Sequence, residues 1–134
     1  MLAQLIVMEV LAAYLAYAYG KDNWLSWFAI VVLLCTAQIQ AGWVQHDYGH
    51  QALLPTRKLN NWMHLFTINF LKGASSAWWR SSHYRHHAKT NVIGLDPDLG
   101  VQPYFILGDE MLKQKKGWKF TPHQHWYWYI VGPT

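Results

Sequence analysis

Read for polarity alone, the chain divides into an apolar front and a polar, basic back. From Leu2 to Tyr19 only Gln4 and Glu9 are strongly polar. A helix of that length rises about 27 Å at 1.5 Å per residue, which nearly spans the hydrocarbon core of a bilayer. Gly20-Lys21-Asp22-Asn23 is a compact polar break that predicts a reversal of direction. A second apolar helix is predicted from Trp24 to about Val44, with Trp24 and Trp27 at its start and Trp43 at its end, where amphipathic rings favour a membrane interface. A cleaved signal peptide competes for the first run. It lacks a basic leader ahead of the apolar stretch, and a second apolar stretch follows at once.

Beyond the hairpin the pattern breaks into shorter pieces. Pro55-Thr56-Arg57-Lys58 reads as an exposed loop. Trp62 to Leu71 is too short to span and mixes Trp62, Leu65, Phe66, Ile68 and Phe70 with His64 and Asn69, the pattern of an interfacial or buried helix. The small-residue stretch Lys72 to Ala77 leads into Trp78-Trp79, which serve as membrane anchors or as a wall for substrate. Asp96-Pro97-Asp98 predicts a turn.

Charge sharpens this division. From Met1 to Val44 the only charged residues are Glu9, Lys21 and Asp22, whereas ten of the eleven Lys and Arg lie after Leu54. Basic loops are retained in the cytoplasm, so both ends of the hairpin are expected on that side and Lys21 on the other. Glu9 near mid-span is costly as a charge and is expected to be neutral or to face protein. Lys113, Lys115, Lys116 and Lys119 form a basic cluster, a solvated face or a contact for anionic headgroups, and no nucleic-acid motif accompanies it. A single cysteine, Cys35, rules out an intrachain disulfide framework.

The candidate chemistry lies in the histidines. His46 and His50 stand four apart, and His83, His86 and His87 stand at spacings of three and four, so helical geometry gathers each set on one stripe. Imidazole is neutral near pH 7 and suits zinc, copper, nickel or iron, whereas a magnesium or calcium site would be built of carboxylates and carbonyls. The His-Asp-x-x-His order of 46–50 disfavours an H-E-x-x-H zinc protease, which uses a glutamate base where this chain has the shorter Asp47 and does not need five clustered histidines. Transporters place ligands within their spans, and all eight histidines lie outside the two apolar runs. A non-catalytic membrane metal-binding protein remains the alternative from another functional class.

Gln40 to Gln45 leading into His46-Asp47-Tyr48-Gly49-His50, then Leu71 to Ser75, Trp78-Trp79 and His83-Tyr84-Arg85-His86-His87-Ala88-Lys89-Thr90-Asn91, resemble a membrane fatty acyl desaturase of the front-end (delta-5/delta-6) animal type. Asp96-Pro97-Asp98 and His123-Gln124-His125 before Tyr127 and Gly132-Pro133 fit the same resemblance. It covers most of the chain after Gln38; the first hairpin agrees only in hydropathy. The resemblance implies two non-haem irons, with His46, His50, His83, His86 and His87 as ligands and Asp47 orienting an imidazole. It leaves His123 and His125 as assistants near the metal or as interface residues, and His64 as structural. It further implies electrons from cytochrome b5 and its reductase, a fatty acyl-CoA substrate, and an endoplasmic reticulum membrane with the histidines facing the cytosol.

The expected fold is therefore an all-α membrane protein: a transmembrane hairpin over 1–45, a cytosolic histidine-box region over 46–125, and the start of a third span over 126–134. The family's third box, Gln-x-x-His-His, and its haem-binding His-Pro-Gly-Gly signature do not occur in the sequence. A fragment of a longer enzyme is the expectation. A related lipid hydroxylase or a sphingolipid desaturase would share the same histidine logic.

Overall fold

Both long apolar runs are helical, α1 over Leu2–Tyr19 and α2 over Trp24–Gly49. The structure is a computed structural model and describes residues 1–20, 23–101, 104–109, 113 and 119–131. Among these residues every regular element is a helix and no strand occurs. Lys21 and Asp22 of the expected reversal, Lys115 and Lys116 of the basic cluster, and Gly132-Pro133 lie outside the described residues. The chain forms two units, Met1–Ser76 and Ala77–Thr134.

In the first unit α1 and α2 pack antiparallel, since Leu5 near the start of α1 is buried among Ala37, Ala41, Val44 and Tyr48 in the second half of α2. Ala12, Ala37 and Ala41 are fully buried, and such small side chains let two helix backbones approach closely. Asn23 starts α2 by accepting the Ser26 N–H at 2.9 Å, which satisfies one of the unpaired donors of a helix N-terminus. The outer surface is largely apolar: Val7, Val10, Tyr14, Trp27, Phe28 and Val32 are exposed. A contiguous apolar surface of this kind calls for an apolar surrounding, and both helices are long and apolar enough to cross a membrane. Glu9 turns inward, where its carboxylate accepts from Gln38 Nε2 at 3.4 Å.

The second helix runs past its expected end at Val44. Nothing in Gln45-His46-Asp47-Tyr48 breaks a helix, and α2 stops only where Gln51 adopts a left-handed backbone with φ 64°. His46 therefore sits on the helix and not beyond it. The next helix also begins earlier than Trp62 because Thr56 caps it, accepting the Leu59 N–H at 3.3 Å. Thus α3 spans Arg57–Leu65, and Arg57 and Lys58 belong to its exposed first turn instead of a loop. Buried Asn60 ties α3 to the preceding loop through Leu54 N at 3.0 Å and Leu54 O at 2.7 Å. A π-helical segment, Phe66–Leu71, continues α3, and Gly73, at φ 71°, ends it in a conformation that favours glycine.

The remaining long helix, α4, spans Ser76–Ala88. In the second unit it is followed by a loop containing the 3-10 turn Pro97–Leu99 and, later, by Thr121–His123 and the short helix α5, Gln124–Val131. Gln124 binds both main-chain groups of buried Ile106, accepting from its N–H at 2.9 Å and donating to its carbonyl at 3.0 Å. Phe105 is buried against the rings of Tyr127 and Trp128, and the Tyr127 hydroxyl donates to Tyr104 O at 2.6 Å. The expected start of a third span is thus helical from Gln124, and its eight residues are too few to cross a bilayer by themselves.

Candidate metal centre

The first histidine pair occupies the last turn of α2. One helical turn brings the His46 and His50 rings to 4.5 Å between centroids. His46 Nδ1 lies 3.2 Å from the Asp47 carboxylate, so the expected Asp-imidazole contact is present between sequence neighbours, both partly exposed. His50 caps the helix and is exposed.

The second set lies along the last turns of α4 in the other unit. His83 and His87, one turn apart, bring their Nε2 atoms to 3.0 Å. That is the length of a hydrogen bond between the two rings, and it also brings two imidazole nitrogens close enough to share an ion. The ring of His86 lies 6.0 Å from that of His83 and 5.6 Å from that of His87. Trp79 stacks on His83 at 4.4 Å and limits how that ring can turn. Trp78, by contrast, is exposed.

His86 differs from its neighbours in being held by the loop that follows. Its Nδ1 lies 2.9 Å from Asp96 Oδ1, 3.1 Å from Asp96 Oδ2 and 3.2 Å from Asp98 Oδ2. The hydrogen bond to Asp96 raises the His86 pKa above its ordinary value, with partial burial opposing and the charges of Asp98 and Asp96 assisting. Burial pushes the Asp96 carboxyl upward, but the bonds from His86 and from the Asn91 and Asp98 backbone N–H groups outweigh it and hold the carboxyl below its usual range. The sequence pattern marks Asp96-Pro97-Asp98 as a turn, which it is. The contact with His86 has no signature in residue type or spacing.

The other candidate residues separate cleanly. His64 is fully buried, with Nε2 2.9 Å from Gln45 Oε1 and Nδ1 3.1 Å from the Ser76 hydroxyl. Both ring nitrogens are therefore committed inside the first unit, next to His46 in sequence on one side and at the first residue of α4 on the other. This is a brace between elements. His123 and His125 are exposed, the latter ring lying beside Trp126. Among the described residues neither joins a group of side chains spaced for a metal.

Sequence comparison gives this histidine arrangement a context, because residues 22–134 match the fatty acid desaturase family. The chain belongs to that family. No solved structure matches it. Desaturases are oxidoreductases that act on lipid chains and use iron, and the donor set suits such an ion: imidazoles, two of them with their nitrogens close together, and a buried carboxylate behind a third. The two apolar helices and the lipid substrate of the desaturase family together associate the protein with a membrane.

Proposed function

We propose that the chain holds the iron of a front-end acyl desaturase of the animal type, which places a double bond toward the carboxyl end of a long polyunsaturated acyl-CoA. His46, His50, His83, His86 and His87 are the ligands in this reading. Iron supplies the oxygen activation needed to take hydrogen from an unactivated methylene, which ordinary acid-base groups cannot do. In balance, the chain loses two hydrogens, and O2 takes these with two electrons and two protons to become two waters. The electrons come from cytochrome b5 and its reductase. The single observation that supports the reading best is the His83–His87 nitrogen pair at 3.0 Å within a desaturase-family match.

The protein's own residues bind, orient and exclude water. The stacking of Trp79 on His83 keeps that imidazole facing His87, and Trp78 and Trp79 together offer an apolar wall to the acyl chain. Asp47 accepts from Nδ1 of His46 and so leaves Nε2 for the metal. His123 and His125 assist near the metal or serve as interface residues. The hairpin holds the site at the bilayer surface, where a substrate can keep its head in water and its tail in lipid. In the same reading the membrane is that of the endoplasmic reticulum, the protein is multi-pass, and the histidines face the cytosol, as the basic residues after Leu54 favour.

The test is expression of the protein in yeast fed polyunsaturated acids, with fatty acid methyl esters analysed for a new double bond. A double bond on the carboxyl side of the existing ones supports the front-end reading. A hydroxylated product, or a desaturated sphingoid base, replaces it with the related lipid oxidation.

A further inference from the structure

His86 is clamped, and the clamp is built by a loop of unusual economy. After α4 ends, Thr90 Oγ1 donates back to His86 O at 2.7 Å, and Asn91 adopts a left-handed backbone with φ 63°, a conformation that Asn tolerates better than most residues. That bend directs the Asn91 N–H to Asp96 Oδ2 at 2.7 Å, while the Asp98 N–H reaches Asp96 Oδ1 at 2.9 Å. The Asp96 side chain is only 1% exposed, against 56% for Asp98. A carboxylate buried this far is tolerable because backbone donors and an imidazole surround it.

The same contacts decide what Asp96 can do. His86, Asp96 and Asp98 each offer an atom within 4.8 Å of the others, a spacing that would also suit direct coordination of an ion. Both Asp96 oxygens, however, already accept a backbone N–H, and the atom facing them is His86 Nδ1, within hydrogen-bond distance of both. A neutral imidazole that donates from Nδ1 keeps its lone pair on Nε2. We infer that Asp96 is a positioning residue that fixes His86 in the Nδ1–H tautomer and thereby presents Nε2 as the donor atom toward a metal, with Asp98 as an outer, dispensable acceptor. This rests on the reading of His86 as a ligand. It adds a residue that the histidine boxes do not contain.

The test uses the full chain in lipid nanodiscs with 15N-labelled histidine, assigning His86 by comparison with His86→Gln. In the metal-free protein the His86 ring is expected in the Nδ1–H form. On titration with zinc, a diamagnetic probe, Nε2 should shift while the Nδ1 proton persists. Asp96→Asn should weaken zinc binding by about 10- to 100-fold, the usual cost of losing such a partner, and Asp98→Asn by less than about threefold. A metal-free ring in the Nε2–H form overturns the clamp even if zinc then binds His86. Loss of the Nδ1 proton on zinc binding also overturns it, in favour of direct coordination at that face. A ring in the expected tautomer whose Nε2 ignores zinc overturns the ligand reading and the inference with it. The wild-type measurements need no variant to fold.

Discussion

The hairpin and the region from α4 onward solve opposite problems. In the hairpin, α1 and α2 meet through alanines and Leu5 and turn valine, tyrosine and tryptophan outward. Shape complementarity joins the helices, and the exposed surface presumes an oily solvent. In the second unit the joining groups are polar: Asp96 under His86, Gln124 across Ile106, and Tyr127 on a carbonyl. The lesson is that this protein uses packing where the surroundings are apolar and hydrogen bonds where a side chain must be aimed.

The largest effect that would sharpen this contrast is functional. Removing a ring that is aimed by a hydrogen bond, in His86→Ala, should lower formation of the new double bond by more than about a hundredfold, since even outer-shell losses reach that range; gas chromatography of yeast lipids reads it. Undiminished product would take His86 out of the ligand set. Next comes Gln124→Leu, which keeps volume but leaves the N–H and C=O of buried Ile106 without these partners. A loss of about 2–4 kcal/mol is expected in unfolding measured in detergent. If the cost is negligible, hydrogen bonding does not hold that part of the second unit together.

In the hairpin the informative change is volume. Ala41→Leu inserts atoms where the exposed area is zero and should destabilise by about 1–3 kcal/mol, while Ala41→Ser should cost less. Equal costs would mean that polarity, not size, governs the interface. The smallest effect is Thr56→Ala, which removes the cap of α3 and should cost about 1 kcal/mol, visible as faster amide exchange in the first turn of that helix.

How much of this was legible beforehand follows the same division. The two spans could be read because apolar runs of eighteen residues or more have few structural alternatives, and the histidine stripes because helical periodicity acts between near neighbours. The ends were less legible. Continuation of α2 to Gly49 depends on a left-handed Gln51, and the early start of α3 on a threonine cap beside a proline that signals a loop. The sequence reading of His64 as structural agrees with its two buried partners, but Gln45 and Ser76 could not have been named as those partners. Asp96 was visible only as a turn residue. Its second role arises from a loop that folds back by ten residues, and no periodicity encodes such a return.

The π-helical segment Phe66–Leu71 gives the chain slack in its length here. Its wider turn, seen in the Lys72 N–H reaching Thr67 O, takes up one residue more than an α-helix would over the same rise. Deleting one exposed residue of that turn, Phe70, would return the helix to ordinary winding and leave Ser76 beside the imidazole of His64.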